Sequence, residues 1–209
     1  MGEAADSRPG RRRQADRSRE STQRLLDAAI ELIAKKGYEG ATAAEIGQHA
    51  GYSREMVRAR YGSKDELIRS LWEREYFTYV HEPPSAGEAG LDHASRQLAR
   101  VQTLAGEDPR HLRALLLLLF ETAGSAHPWP REWTDHFENG LCDALDRGQT
   151  DGSVRADIDP RTEAEAAVAL LLGRGLRWVV DPDRVDFAVE MTRLIARLRS
   201  SLAVVGAAA

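Results

Sequence analysis

A single cysteine, Cys142, among 209 residues excludes an internal disulfide. Long apolar runs are missing too: the strongest, Ala114 to Phe120, has seven residues, where a bilayer crossing takes roughly 20. The charged N-terminus is not followed by the apolar stretch of a secretory signal, so a cytoplasmic protein with no membrane partner is expected. The histidines His49, His81, His93, His111, His127 and His136 show no HExxH or other close metal spacing, and one thiol cannot build a cluster, so neither a metal nor another cofactor is expected. Gly173-Arg174-Gly175 follows no strand and lacks the rest of a dinucleotide fingerprint, which leaves it as a place for close helix packing. Residues 151–159 are acidic but lack the spacing and terminal Glu of a calcium loop, and read as a plain loop. Cys142 and His136 are six apart with no third orienting group, so no catalytic nucleophile is expected and the chain does not read as an enzyme. No alternating strand pattern of useful length occurs, which leaves an all-α fold.

What is present is an uneven distribution of charge. Residues 1–64 carry 13 Lys and Arg against 9 Asp and Glu, whereas the remainder carries 16 against 24. A basic module on an acidic body suits a protein whose front end meets a polyanion. Residues 1–19 hold Arg8, Arg11, Arg12, Arg13, Arg17 and Arg19 without apolar periodicity and read as a flexible basic arm. Residues 20–36 show a helix-spaced apolar stripe (Leu25, Leu26, Ala29, Ile30, Leu32, Ile33) that stops at Gly37. Thr42 to Glu45 has capping-box spacing and opens a short helix ended by Gly51; Ser53 caps another that runs to about Tyr61; Ser63 to Glu66 starts a fourth, to about Tyr79. Residues 81–90, with two prolines and two glycines, are a connection. Beyond it, helices are expected over 91–105, 109–123, 130–148, 160–180 and 184–203, for about nine in all. The organisation that follows is an arm (1–19), a helix-turn-helix domain (20–66) and a helical domain (67–205).

Within 42–61, Ala43, Ile46, Ala50, Val57 and Tyr61 can face inward, which turns the other face of the second short helix outward. Arg54 and Arg58 lie four apart on that face, with Glu55, Ala59 and Arg60 beside them. A helix fits the major groove, where Arg reaches guanine O6 and N7, Glu accepts from cytosine N4, and Ala tolerates a thymine methyl. Thr42, Tyr52, Ser53, Arg60 and Lys64 are the expected phosphate donors that fix register.

These residues resemble a known family. The segment RLLDAAIELIAKKGYEGATAAEIGQHAGYSREMVRARYGSKDELI, residues 24–68, is similar to the DNA-binding domain of tetracycline-repressor (TetR) family regulators through Ala28-Ala29, Gly37-Tyr38, Thr42, Glu45-Ile46-Gly47, Ala50 to Ser53, Tyr61, Ser63-Lys64 and Leu67. The resemblance implies that Thr42, Ser53, Arg58, Arg60 and Lys64 lie at DNA. The chain departs from the pattern at Glu55-Met56-Val57-Arg58, where many members carry Gly-Thr-(Leu/Val)-Tyr. An arginine thus replaces the usual phosphate-binding tyrosine, and operator sequence does not transfer.

The resemblance further implies a C-terminal domain that binds a small-molecule effector and dimerises through its last two helices. Two stripes support a homodimer from the sequence side: Phe187, Met191, Leu194, Ile195, Leu198 and Leu202 on the last helix, and Ala164, Ala167, Val168, Leu171, Gly175, Leu176 and Val179 on the one before. The competing reading is that both stripes only close a monomer core. Candidate effector-pocket residues are Trp72, Phe77, Leu98, Gln102, Leu116, Phe120, Trp129, Trp133, Phe137, Arg174 and Trp178, with Arg174 suited either to an anionic effector or to a carboxylate across the dimer. The expected function is a dimeric one-component regulator, a repressor released from a double-stranded DNA operator by its effector. The alternative is an all-α ligand-binding protein or enzyme that uses the C-terminal pocket without regulatory DNA binding.

Overall fold

The computed structural model describes residues 9–79 and 83–204, with side chains from residue 19 onward except at 71, 72 and 74–79. Among the described residues nine helices follow one another: α1 (Pro9–Gly40), α2 (Ala43–His49), α3 (Arg54–Tyr61), α4 (Lys64–Tyr79), α5 (Gly90–Glu107), α6 (Pro109–Thr122), α7 (Trp129–Asp151), α8 (Pro160–Val180) and α9 (Phe187–Leu202). Extended structure among them is limited to one isolated bridge, Val154 with Ala203. Helix starts sit where the chemistry calls for them. Asp108 and Asp159 each precede a proline and accept the third helical N–H, from His111 and Thr162, at 3.1 Å in both cases.

The basic segment at the front is a correction to the flexible-arm reading. Residues 9–19 are helical and continue into α1. Pro9 suits a first turn, and Arg, Gln and Ala are strong helix formers, so local propensity extends the helix where apolar periodicity is silent. Residues 1–8 lie outside the described residues.

Two packing units share one apolar core. In the first, Leu25, Leu26, Ala29 and Ile33 of α1 pack with Ile46 of α2, Val57 of α3 and Leu67 and Ile68 of α4, all buried. Gly47 marks the crossing of α2 and α3: a Cβ there would stand 2.9 Å from Val57 Cγ2 and 3.2 Å from the Tyr52 carbonyl oxygen. The second unit is built from α5 to α9, with α6 lying along α1 on one side and meeting α8 on the other.

The body decides between the two readings of the late apolar stripes. Val168, Leu171, Phe187, Met191, Leu194 and Leu198 are all buried within the protomer, and Ile195 is half-buried against the same core. These residues, expected at a dimer interface, close the monomer instead. The physical reason is that α8 and α9 must cover α5, α6 and α7 before any partner arrives, and the most apolar face of each does so. Of the expected interface residues only Leu176 is exposed, at 49%. It belongs to another stripe on α8, with Ala166, Ala169, Leu170, Gly173 and Val180.

Candidate nucleic-acid interface

The site begins with two capped helix starts. Thr42 Oγ1 accepts from Glu45 N–H at 3.2 Å, and the Glu45 carboxylate accepts from Thr42 N–H at 3.1 Å and from its hydroxyl at 2.8 Å, a complete capping box. Lys36 Nζ donates to the same carboxylate. Together the lysine and Thr42 hold Glu45 down to about 2. After α2 the chain turns through Gly51, which has φ +80. Tyr52 N–H donates to the Gly47 carbonyl at 2.7 Å, and Ser53 caps α3 by accepting from Met56 N–H at 3.2 Å. The α2–α3 turn is thus fixed by backbone bonds and caps, with Val57 as its buried anchor.

That anchoring turns Arg54, Glu55, Arg58 and Ala59 outward, all exposed. Among the described residues no ion pair is formed by Arg54 or Arg58. The Glu55 carboxyl is held below the ordinary range by its own backbone N–H and by the Ser53 hydroxyl, so it stands ionised as an acceptor. The α3 surface therefore presents two guanidinium groups and one carboxylate on a rigid helix.

The expected phosphate contacts divide. Thr42 and Ser53 are exposed at the two helix starts and Tyr52 is half-buried in the turn. Arg60 instead reaches back to the Ser21 and Thr22 hydroxyls of α1, with its guanidinium 5.9 Å from the Tyr61 ring centre. Lys64 lies half-buried with Nζ 3.1 Å from the Tyr38 carbonyl oxygen and 3.8 Å from the centre of the Tyr38 ring. In this structure both cations brace the first packing unit, Arg60 joining α3 to α1 and Lys64 joining α4 to α1.

Sequence reasoning passed over the seam behind the site. Tyr38, at the end of α1, donates its hydroxyl to Asp65 of α4 and its backbone N–H to Glu121 of α6 at 2.7 Å. Burial, then Asp65, pushes the Tyr38 phenol upward. His127 stacks on Trp129 at 4.0 Å between ring centres, both ring systems meet Tyr38 edge-on, and Trp129 Nε1 donates to Thr122 Oγ1 at 3.0 Å. A conserved spacing could not have flagged this cluster, since its members are up to 91 positions apart. The composite signal was a glycine after an apolar helix followed by an aromatic, Gly37-Tyr38.

The expected effector-pocket residues do not converge on one described cavity. Trp72 and Phe77 lie outside the residues whose side chains are described. Leu98 and Phe137 are core, and Phe137 stacks on the buried Trp133 at 5.3 Å. Leu116 and Trp129 are also buried. Gln102 donates to the Ala188 carbonyl and to Thr192, tying α5 to α9. Arg174 lies 3.4 Å from Glu190 of its own chain. Trp178 pairs with Phe187 at 5.5 Å and lines a shallow groove at the α8–α9 turn. Phe120 lines a separate open groove of about 370 Å³ with Pro130, Thr134 and Leu172. Burial raises the Cys142 thiol, in keeping with an inert core cysteine.

Comparison with known proteins agrees with this fold. Residues 25–71 match the description "Bacterial regulatory proteins, tetR family", and residues 129–203 match "BetI-type transcriptional repressor, C-terminal". The chain is 25% identical to the A-factor receptor protein of Streptomyces griseus over 183 residues, which is 86% of this chain and 62% of the relative, so it spans less than two thirds of that protein's length. Among solved structures, TylP, a tetR regulator from Streptomyces fradiae, superposes with a TM-score of 0.72 at 21% identity, covering 90% of this chain and 89% of that one. A structure described as the molecular basis for control of antibiotic production by bacterial hormones superposes with a TM-score of 0.75 at 23% identity, covering 88% and 98%. At such identities the superpositions speak for the fold.

Proposed function

As the chain belongs to the tetR family of bacterial regulatory proteins, we propose that it is a dimeric one-component transcriptional repressor that binds a near-palindromic DNA operator and is released by a small-molecule effector. The observation that carries the DNA reading is the α3 surface, where Arg54, Glu55 and Arg58 stand exposed on a helix whose opposite side is anchored by Val57. Arg58 reads a base and Glu55 supports a cytosine contact, while Thr42, Ser53 and Tyr52 set register on the phosphates. Arg58→Ala is expected to weaken binding to a selected operator by about 1–3 kcal/mol and to relax preference at one base pair, in a titration over a range of salt. Undiminished affinity and preference at every position would sink the Arg58 assignment. No described helix is long and apolar enough to cross a membrane.

Two half-sites demand two heads at fixed spacing. The surface on offer to the second protomer is the exposed α8 stripe of Ala166, Ala169, Leu170, Gly173, Leu176 and Val180; Val189 of α9 is exposed as well. Val180 is 75% exposed, a poor fate for valine in a free monomer and a good one under a second copy. The effector domain is the helical body of residues 67–205, and the groove at Phe120, between α6, α7 and α8, is one of several described openings of a size to take a small molecule. By differential affinity the effector favours a head separation that misses the operator.

A further inference from the structure

Gly37 interrupts α1 with φ 78 and ψ 174. That ψ swings the peptide between residues 37 and 38 out of the helical run, so Tyr38 N–H no longer points at the carbonyl four residues back, Ala34, its partner in an unbroken helix. Both halves of the lost bond find new partners, and both come from α6. Arg113 Nε donates to the Ala34 carbonyl at 3.2 Å, and the Glu121 carboxylate accepts from Tyr38 N–H at 2.7 Å. Arg113 also donates from Nη1 to the Val179 carbonyl, in the last turn of α8, at 2.9 Å.

We propose that Arg113 and Glu121 are positioning residues that hold the DNA-reading unit to the body by completing, from α6, the two halves of the helical hydrogen bond that Gly37 splits. The chemistry suits the task. One guanidinium takes orphan carbonyls from the ends of two helices, α1 of the reading unit and α8 of the body, where helix dipoles favour a cation. One carboxylate takes an orphan N–H at the same break. Apolar packing tolerates sliding, whereas these charge-assisted bonds are directional, and an ångström of slip breaks them. Tyr38 passes the constraint on: its carbonyl is held by Lys64 and its hydroxyl by Asp65, both on α4. A Cβ at residue 37 would push the Glu121 carboxylate off Tyr38 N–H, and the positive φ there favours glycine in any case. Since α8 carries the surface proposed for the second protomer, the bond at Val179 references each reading head to the dimer axis.

The functional half of this inference rests on the repressor reading; the structural half does not, and two measurements on the full chain separate them. The first is amide exchange at Tyr38 followed by NMR. Glu121→Ala should raise the exchange rate at least about tenfold, and Glu121→Gln, which still offers a carbonyl oxygen, should leave it close to wild type. Equal exchange in wild type and Glu121→Ala overturns the grip whatever the protein binds. The second is binding to selected operators whose two half-sites are moved together or apart by single base pairs. Wild type should prefer one spacing by on the order of tenfold, and Glu121→Ala with Arg113→Met should flatten that preference while a mutated half-site base remains as costly as before. An unchanged spacing profile overturns the positioning role, as does a loss of base preference in step with a fall in melting temperature. Wild type that selects no operator defeats the repressor reading and leaves the exchange result to judge the grip alone.

Discussion

Glu45 shows how much one side chain settles at the front of the reading unit. Its carboxylate closes the Thr42 capping box and takes the Lys36 ammonium, so the end of α1 and the start of α2 meet on two oxygens. With its folded value held at about 2 by Lys36 and then Thr42, against roughly 4.3 in an unfolded chain, the sign of the linkage is fixed. The stabilisation is fully present above about pH 4.3 and is lost as pH falls toward 2. Glu88, held at about 2 chiefly by Arg96, behaves the same way at the entry to α5. A carboxyl titration by NMR should place the Glu45 midpoint near pH 2, and Lys36→Met should move it up toward the ordinary glutamate value; a midpoint that ignores the lysine removes Lys36 as the main cause.

At the scale of elements, the α2–α3 pair depends on a close approach that only glycine permits. Gly47→Ala places a methyl 2.9 Å from Val57 Cγ2 and 3.2 Å from the backbone oxygen of Tyr52, and Val57 is the one fully buried residue of α3. Either the valine leaves its rotamer or the two helices part. A destabilisation of about 1–3 kcal/mol is expected in chemical unfolding, with operator affinity falling further because Arg54 and Arg58 move with α3. Wild-type stability in that variant would show that the crossing is looser than described. The caps on α2 and α3, and the Asp-Pro starts of α6 and α8, were legible because each uses local bonds within four residues. The helical course of residues 9–19 was not, since a long polar helix carries no apolar period to read.

For the whole molecule, burial separates two classes of apolar residue on α8 and α9. Leu194 is 1% exposed and Leu176 is 49% exposed. Leu176→Glu should therefore leave the protomer folded by circular dichroism yet shift it to monomer in sedimentation, with loss of tight operator binding. Leu194→Ala should instead lower stability by about 2–5 kcal/mol through a core cavity. If Leu176→Glu remains dimeric at micromolar concentration, the second protomer sits elsewhere.

The chain by itself determined the all-α class, the helix boundaries to within a few residues from α2 onward, and the exposed face of α3 that carries Arg54, Glu55 and Arg58, because apolar periodicity, caps and glycine turns are local and leave marks at fixed offsets. Tertiary structure alone decided which of two apolar stripes on α8 closes the core, since both have helical period and only the neighbours distinguish them. It also decided that Arg60 and Lys64 brace the reading unit, and that Arg113 and Glu121 mend a break in α1 from 79 and 83 residues away. A long flexible cation has many partners within reach in the unfolded chain. Which carbonyl or hydroxyl it meets is set by the packing of helices far apart in sequence, and no local pattern encodes that meeting.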